Sequence, residues 1–259
     1  MPPEVPDFWD DLTIRSASRS AAEDPEAMAA RRVLCNSLVK AFDPVGTALR
    51  CMGNMIGPGR VDSTSPFGNG DDGLVALGYL CETAASLISG AMQLLEQDNC
   101  YAAASLNRQL VEVVEYLAWA FGEDHEEAAS WLRSSRDDRL SRWQPRHLRE
   151  RSQGRFRGAD YSEHCELGGH PTPQGARALI GNGNQPRTRE FILRESVVFG
   201  LSTWHYVEVA EKVLCGHRGL DDHSFITIEV QAAIAQQEED WSKVDRVSAV
   251  WRIAQSRMT

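Results

Sequence analysis

Between residues 101 and 121 the chain sets Leu106, Leu110, Val113, Leu117 and Phe121 at steps of three and four, and Val111, Val114 and Trp119 widen the stripe. That period is an α-helix, and a helix apolar around most of its circumference must be surrounded by protein. Its neighbours must be helices too. No stretch shows sustained apolar–polar alternation, and Val, Ile and Thr fall inside helical periods. The expectation is an all-α fold: a single-domain bundle of about seven to nine helices with antiparallel neighbours at the core.

Capping signals divide the remaining chain. Residues 1–20, with Pro2, Pro3 and Pro6, read as a flexible N-terminal tail, and residues 21–259 as the helical domain. Asp24-Pro25 opens a helix to about Phe42, and Asp43-Pro44 is expected to restart a second one to about Ile56. Residues 57–72, rich in Gly, Pro, Ser and Asn, read as a loop insertion suited to a mobile cover. Asp72 is expected to cap a helix to Gln97, with Leu74, Leu77, Cys81, Ala84, Leu87 and Ile88 on one stripe. A short helix at 123–134, an interruption at Pro145, a long helix at 185–214 capped by Gly216 and a last helix from Ser224 complete the reading.

Composition narrows the setting. Six scattered cysteines without a C-x-x-C pair fit free buried thiols better than a zinc ribbon or a disulfide framework. The acidic start and the lack of a long apolar run predict a cytoplasmic chain with no membrane contact. A net charge of −10 excludes nucleic-acid binding over the whole surface and leaves a local basic patch as the route to it.

One such patch exists. From Arg133 to Arg157 nine arginines face three acids, a local net of +6, so the rest of the chain carries −16. Arg133, Arg136, Arg139 and Arg142 step by three, Arg146 and Arg157 continue the run, and Trp131, Trp143 and Phe156 interleave. Arginines with aromatics suit phosphates and unstacked bases, which makes RNA a candidate partner. The alternative is that they pair with acids elsewhere in the chain or in a second copy.

Two further constellations carry chemistry. On the central helix Arg108, Glu112 and Glu115 share a face roughly opposite the apolar stripe. That face is either a solvated ion pair or, if protein covers it, a polar pocket. Farther on, residues 160–171 crowd Tyr161, Glu163, His164, Cys165, Glu166 and His170 around the Gly168-Gly169 pair. His170 is suited to proton transfer near neutral pH, or else to capping a neighbouring helix. Arg108, Glu112, Tyr161 and His170 are accordingly the expected catalytic set: Arg108 binding an anion, Glu112 orienting it and His170 exchanging a proton.

Arg-x-x-x-Glu on an apolar helix, then Tyr161, then Gly169-His170-Pro171, resembles a loosely defined family of uncharacterised bacterial helical proteins over about residues 75–215. That resemblance implies a helical fold with a polar pocket and names no reaction. A second, weaker similarity is to HEPN-type helical nucleases and toxins, whose Arg-x4–6-His pair acts at a scissile phosphate. Arg142…His147, Arg157…His164 and Arg218…His223 match that spacing, although Trp143, Gly158 and Gly219 stand where the pattern favours a polar residue. Arg218 and His223, after a long helix, are the best placed of the three.

No Glu-x-x-His occurs, so the di-iron pattern of helical bundles is missing, and no metal or cofactor is expected at Glu112, Glu115, His164, His170, His205 or Glu208. The readings carried forward are three: a HEPN-like RNA-binding or RNA-cleaving protein in a toxin or phage-defence role; a non-enzymatic assembly module forming a homodimer; and a small-molecule or metal enzyme using the pocket.

Overall fold

A computed structural model describes residues 25–156, 165–176, 179 and 186–219; the tail 1–20, Arg157, Tyr161, His164 and the expected helix from Ser224 with His223 lie outside them. The described residues are helical, with no β-strand among them. In chain order the helices of seven or more residues are α1 (Pro25–Met55), α2 (Asp72–Glu96), α3 (Cys100–Gln109), α4 (Tyr116–Glu123), α5 (His125–Arg133), α6 (Arg136–Arg142), α7 (Pro145–Arg151) and α8 (Pro186–His217). A π-helical segment, Leu110–Glu115, joins α3 to α4, so the expected single helix is one rod with a widened middle.

The antiparallel α1–α2 pair is set by glycine. A Cβ on Gly78 would lie 2.7 Å from the Gly46 carbonyl oxygen and 2.8 Å from Arg50 N, so the two backbones touch there. α8 runs parallel to α1 and to the α3–α4 rod: its Gly200 sits on Leu38 and Ile88, and Gly122 sits on Val209. Phe42 meets Trp204 edge-on with centroids 5.1 Å apart. One buried polar pin crosses the core. Asn107 donates to the Ile192 carbonyl at 2.9 Å and accepts from Ser196 Oγ at 2.8 Å.

Three boundaries differ from the sequence reading, each for a physical reason. α1 continues through Pro44. Proline removes the bond to the Lys40 carbonyl, but Lys40, Asp43 and Pro44 are all exposed while Leu38, Phe42, Val45 and Leu49 are buried, so the apolar face holds the helix straight through. The cap of α2 is Asp71, accepting from Gly73 N at 2.8 Å and Leu74 N at 3.1 Å, which places Asp72 inside the first turn. α8 passes Gly216 and ends at His217. The expected interruption at Pro145 lies between α6 and α7, and Pro145 starts α7 at a position where its missing N–H is harmless.

α2 is also long and apolar enough to cross a membrane by length and composition, a property the sequence reading passed over. In this fold its stripe Leu74, Leu77, Cys81, Ala84, Leu87 and Ile88 is buried.

Candidate functional site

Residues 57–72 are tied down rather than loose. Ser65 Oγ and Asn69 Nδ2 each donate to Asp72 Oδ1 at 2.7 Å. Arg133 Nε donates to the other oxygen of Asp72, and Arg218 Nε donates to Asp71. Two candidate arginines thus serve neighbouring buried carboxylates at the start of α2.

The π segment positions the polar stripe. Glu112 and Glu115 are 2% and 3% exposed, so this face meets protein and is not a solvated one. Arg108 grips Glu112 with two bonds, Nε to Oε1 at 3.1 Å and Nη2 to Oε2 at 3.0 Å. The Cys165 thiol stands 3.8 Å from the same Oε1. Burial pushes the Glu112 carboxyl above its ordinary value, and the Arg108 guanidinium partly opposes that rise. Glu115 accepts from Ser202 Oγ on α8 at 2.5 Å. Burial, then the charge of Glu115, pushes the Tyr206 hydroxyl upward.

An aromatic wall closes this face. Phe156 stacks on Tyr116 with centroids 4.1 Å apart and meets Trp119 and Tyr206 edge-on. Arg155 lies 5.9 Å from the Tyr206 ring, and the charge of Arg149 acts on Glu112. The end of the arginine run therefore covers the polar stripe.

The expected catalytic set is brought together in part. Arg108 and Glu112 pair. Tyr161 lies outside the described residues. His170 is exposed, and its backbone carbonyl accepts from the Tyr101 hydroxyl at 3.3 Å. Tyr101 stands seven residues before Arg108 on α3, about 10 Å along the axis. The segment Cys165–Gly169 is a π turn closed by His170 N donating to the Cys165 carbonyl at 3.1 Å.

The arginine run centres on a residue that the sequence reading did not single out. Glu127 of α5 is 4% exposed and accepts from Trp143 Nε1 at 2.7 Å, Arg151 Nη1 at 2.8 Å and Arg142 Nη2 at 3.2 Å. This carboxylate clamps α6 and α7 onto α5. A buried carboxylate demands cationic or N–H partners, but its position in an ordinary acidic first turn gave no sign of burial. Arg139 donates to the Ser134 carbonyl at 2.6 Å, and Arg146 pairs with Glu150 at 2.9 Å. Arg136 is exposed, and Arg157 lies outside the described residues.

Beside the clamp is an open cleft of about 610 Å³ lined by Ser141, Arg142, His147, Glu150 and Arg151. Arg142 is 53% exposed at its side chain and lies 4.7 Å over the Trp143 ring, so the guanidinium reaches both Glu127 and the cleft. His147 Nδ1 is 3.7 Å from Glu150 Oε2. The Arg142…His147 spacing thus corresponds to one shared cleft. Arg218 is engaged by Asp71, and its spacing partner His223 lies outside the described residues.

The residues weighed as metal ligands on the bundle do not converge among the described residues. Glu208 accepts from Trp204 Nε1 at 2.9 Å. His205 is pushed downward by burial and by the charges of Arg155 and Lys212. One group of described ligand types does converge: His125, Glu126 and His217.

Comparison of the chain with protein-family models, with curated proteins and with solved structures found no match.

Proposed function

We propose that the protein binds the phosphate backbone of single-stranded RNA on the α5–α7 arm, and that the Arg142/His147 cleft is where one phosphate sits. The observation that carries this reading is the joint presence of Arg142 and His147, at Arg-x4-His spacing, in the wall of one open cleft with Arg151 and Ser141. Glu127 holds both guanidiniums in place, so little ordering is left for binding. In HEPN-like chemistry His147 takes the proton of the ribose 2′-hydroxyl, and the 2′-oxygen attacks phosphorus. The bond to the 5′-oxygen breaks, that oxygen takes up a proton, and Arg142 steadies the charge on phosphorus. The products are a 2′,3′-cyclic phosphate and a 5′-hydroxyl end.

The test is a labelled single-stranded RNA followed by anisotropy and gel. One neutralised phosphate gives a salt slope of about −0.7 for a single strand. His147→Ala should abolish cleavage with or without EDTA, while His170→Ala leaves it intact. Absence of both binding and cleavage in the wild-type chain would defeat the reading.

A second reading rests on the internal pairing of Arg133, Arg142, Arg146 and Arg151 with Asp72, Glu127 and Glu150. Under it the arginines only hold the arm, and the chain is a non-enzymatic module. Its contact to a second copy would then be the exposed apolar side chains Met55, Val61 and Phe67. Light scattering on the wild type and on Phe67→Ser tests that contact.

A further inference from the structure

We propose that His125, Glu126 and His217 form a binding site for a divalent transition-metal ion of the zinc class, joining the start of α5 to the end of α8. One ligand atom from each of the three lies within 4.8 Å of the other two. The imidazoles of His125 and His217 stack with centroids 3.7 Å apart and an interplanar angle of 24°. More than ninety residues separate them in the chain, so this proximity is made by the fold.

The surroundings favour ligation over plain stacking. His125 Nδ1 faces Asp124 Oδ1 at 3.4 Å, and His125 Nε2 faces Glu126 Oε1 at 3.7 Å. A carboxylate that accepts a hydrogen bond from Nδ1–H fixes the tautomer whose Nε2 lone pair is free for a metal, the arrangement that prepares a histidine for ligation. Glu126 and His217 are exposed side chains. Tetrahedral bonds near 2.1 Å require ligand atoms about 3.4 Å apart, so a metal would draw the three in by rotation about the torsions of these exposed side chains. Two imidazoles and one carboxylate suit Zn²⁺, Co²⁺, Ni²⁺ or Cu²⁺, whereas Mg²⁺ and Ca²⁺ prefer oxygen alone. Three protein ligands leave a position for water.

The backbone holds the site firmly. Asp124 caps α5 by accepting from Glu126 N at 3.1 Å. Gly73 lets the end of α8 approach, since a Cβ there would meet Leu214 at 2.9 Å and the His125 carbonyl at 3.7 Å. The Arg218–Asp71 pair ties down the residue after His217.

The experiment is calorimetric titration of the full chain with ZnCl₂, with visible absorption of the Co²⁺-loaded protein as a second readout. One equivalent should bind, and His125→Ala and His217→Ala should each weaken binding tenfold or more. Asp124→Asn is the sharper variant, because Asn caps a helix as well as Asp. It should keep the melting temperature of the metal-free protein and still weaken Zn²⁺ by about 10- to 100-fold. His170→Ala should bind as the wild type does. Lack of a one-to-one isotherm, or undiminished affinity in the His125→Ala/His217→Ala double variant, would overturn the proposal. Neither outcome bears on the RNA reading, which uses other residues and expects cleavage insensitive to EDTA.

Discussion

Replacing Glu127 by Ala removes one carboxylate that receives three donors from α6 and α7. Charge-assisted bonds of this kind contribute about 1.5–3 kcal/mol each when buried. Arg142 and Arg151 are 53% and 38% exposed, however, so water screens both pairs and each is reduced to about 0.5–1 kcal/mol. Trp143 is buried, and leaving its indole N–H without an acceptor costs about 1–3 kcal/mol. The expected loss is about 3 kcal/mol. In a chain of this size each kcal/mol moves the melting temperature by about 2–4 °C, so Glu127→Ala should melt roughly 6–12 °C lower. Glu127→Gln keeps one acceptor for the indole and should recover about half. Calorimetric melts at neutral pH give the shift, and hydrogen exchange should show faster exchange in α6 and α7 than in α2. A drop below about 2 °C for the Ala variant would mean that the carboxylate does not clamp the arm.

Other outcomes follow from single contacts. Gly78→Ala pushes a methyl into the Gly46 carbonyl and Arg50 N and should destabilise the α1–α2 pair by about 1–3 kcal/mol, read by chemical denaturation. Glu112 has a carboxyl raised above its ordinary 4.5, so the folded state binds the extra proton. Its contribution is present below that pH and lost as pH rises through the folded value. The stability of wild type minus that of Glu112→Gln should therefore fall from about pH 4 upward, and a rising difference would contradict the burial argument. His205 is shifted the other way, so its contribution is present above the unfolded value near 6.5 and lost as pH falls; His205→Gln should flatten that acid limb in thermal melts. Burial pushes the Cys35 thiol up to about 12 and Cys81 upward as well, whereas Cys51 is exposed. A thiol reagent followed by mass spectrometry should label Cys51 in the native protein and Cys35 and Cys81 only on unfolding.

Sequence alone determined the helical architecture. Periodicity and capping are local: Leu74 to Ile88 mark a buried stripe because residues three and four apart share a helix face. For the same reason Pro145 was readable as an interruption, and it falls between two helices. The charge imbalance of the 133–157 segment was also plain, and so was its choice between an outside phosphate and inside acids.

What the tertiary structure decided was every partner distant in the chain. Arg133 and Asp72 are 61 residues apart, Arg218 and Asp71 are 147, and no local spacing links them. The same holds for Glu127 with Arg151, and for His125 with His217. Whether Glu112 and Glu115 face water or protein depended on partners from other parts of the chain, Cys165 beside Glu112 and Ser202 beside Glu115. Even Pro44 followed this rule. Its local preference to break a helix was outweighed by the long buried face on either side of it. Helix formation is governed by neighbours within a turn, whereas ion pairing and metal ligation are governed by distance in space, and that distance is set only when the helices pack.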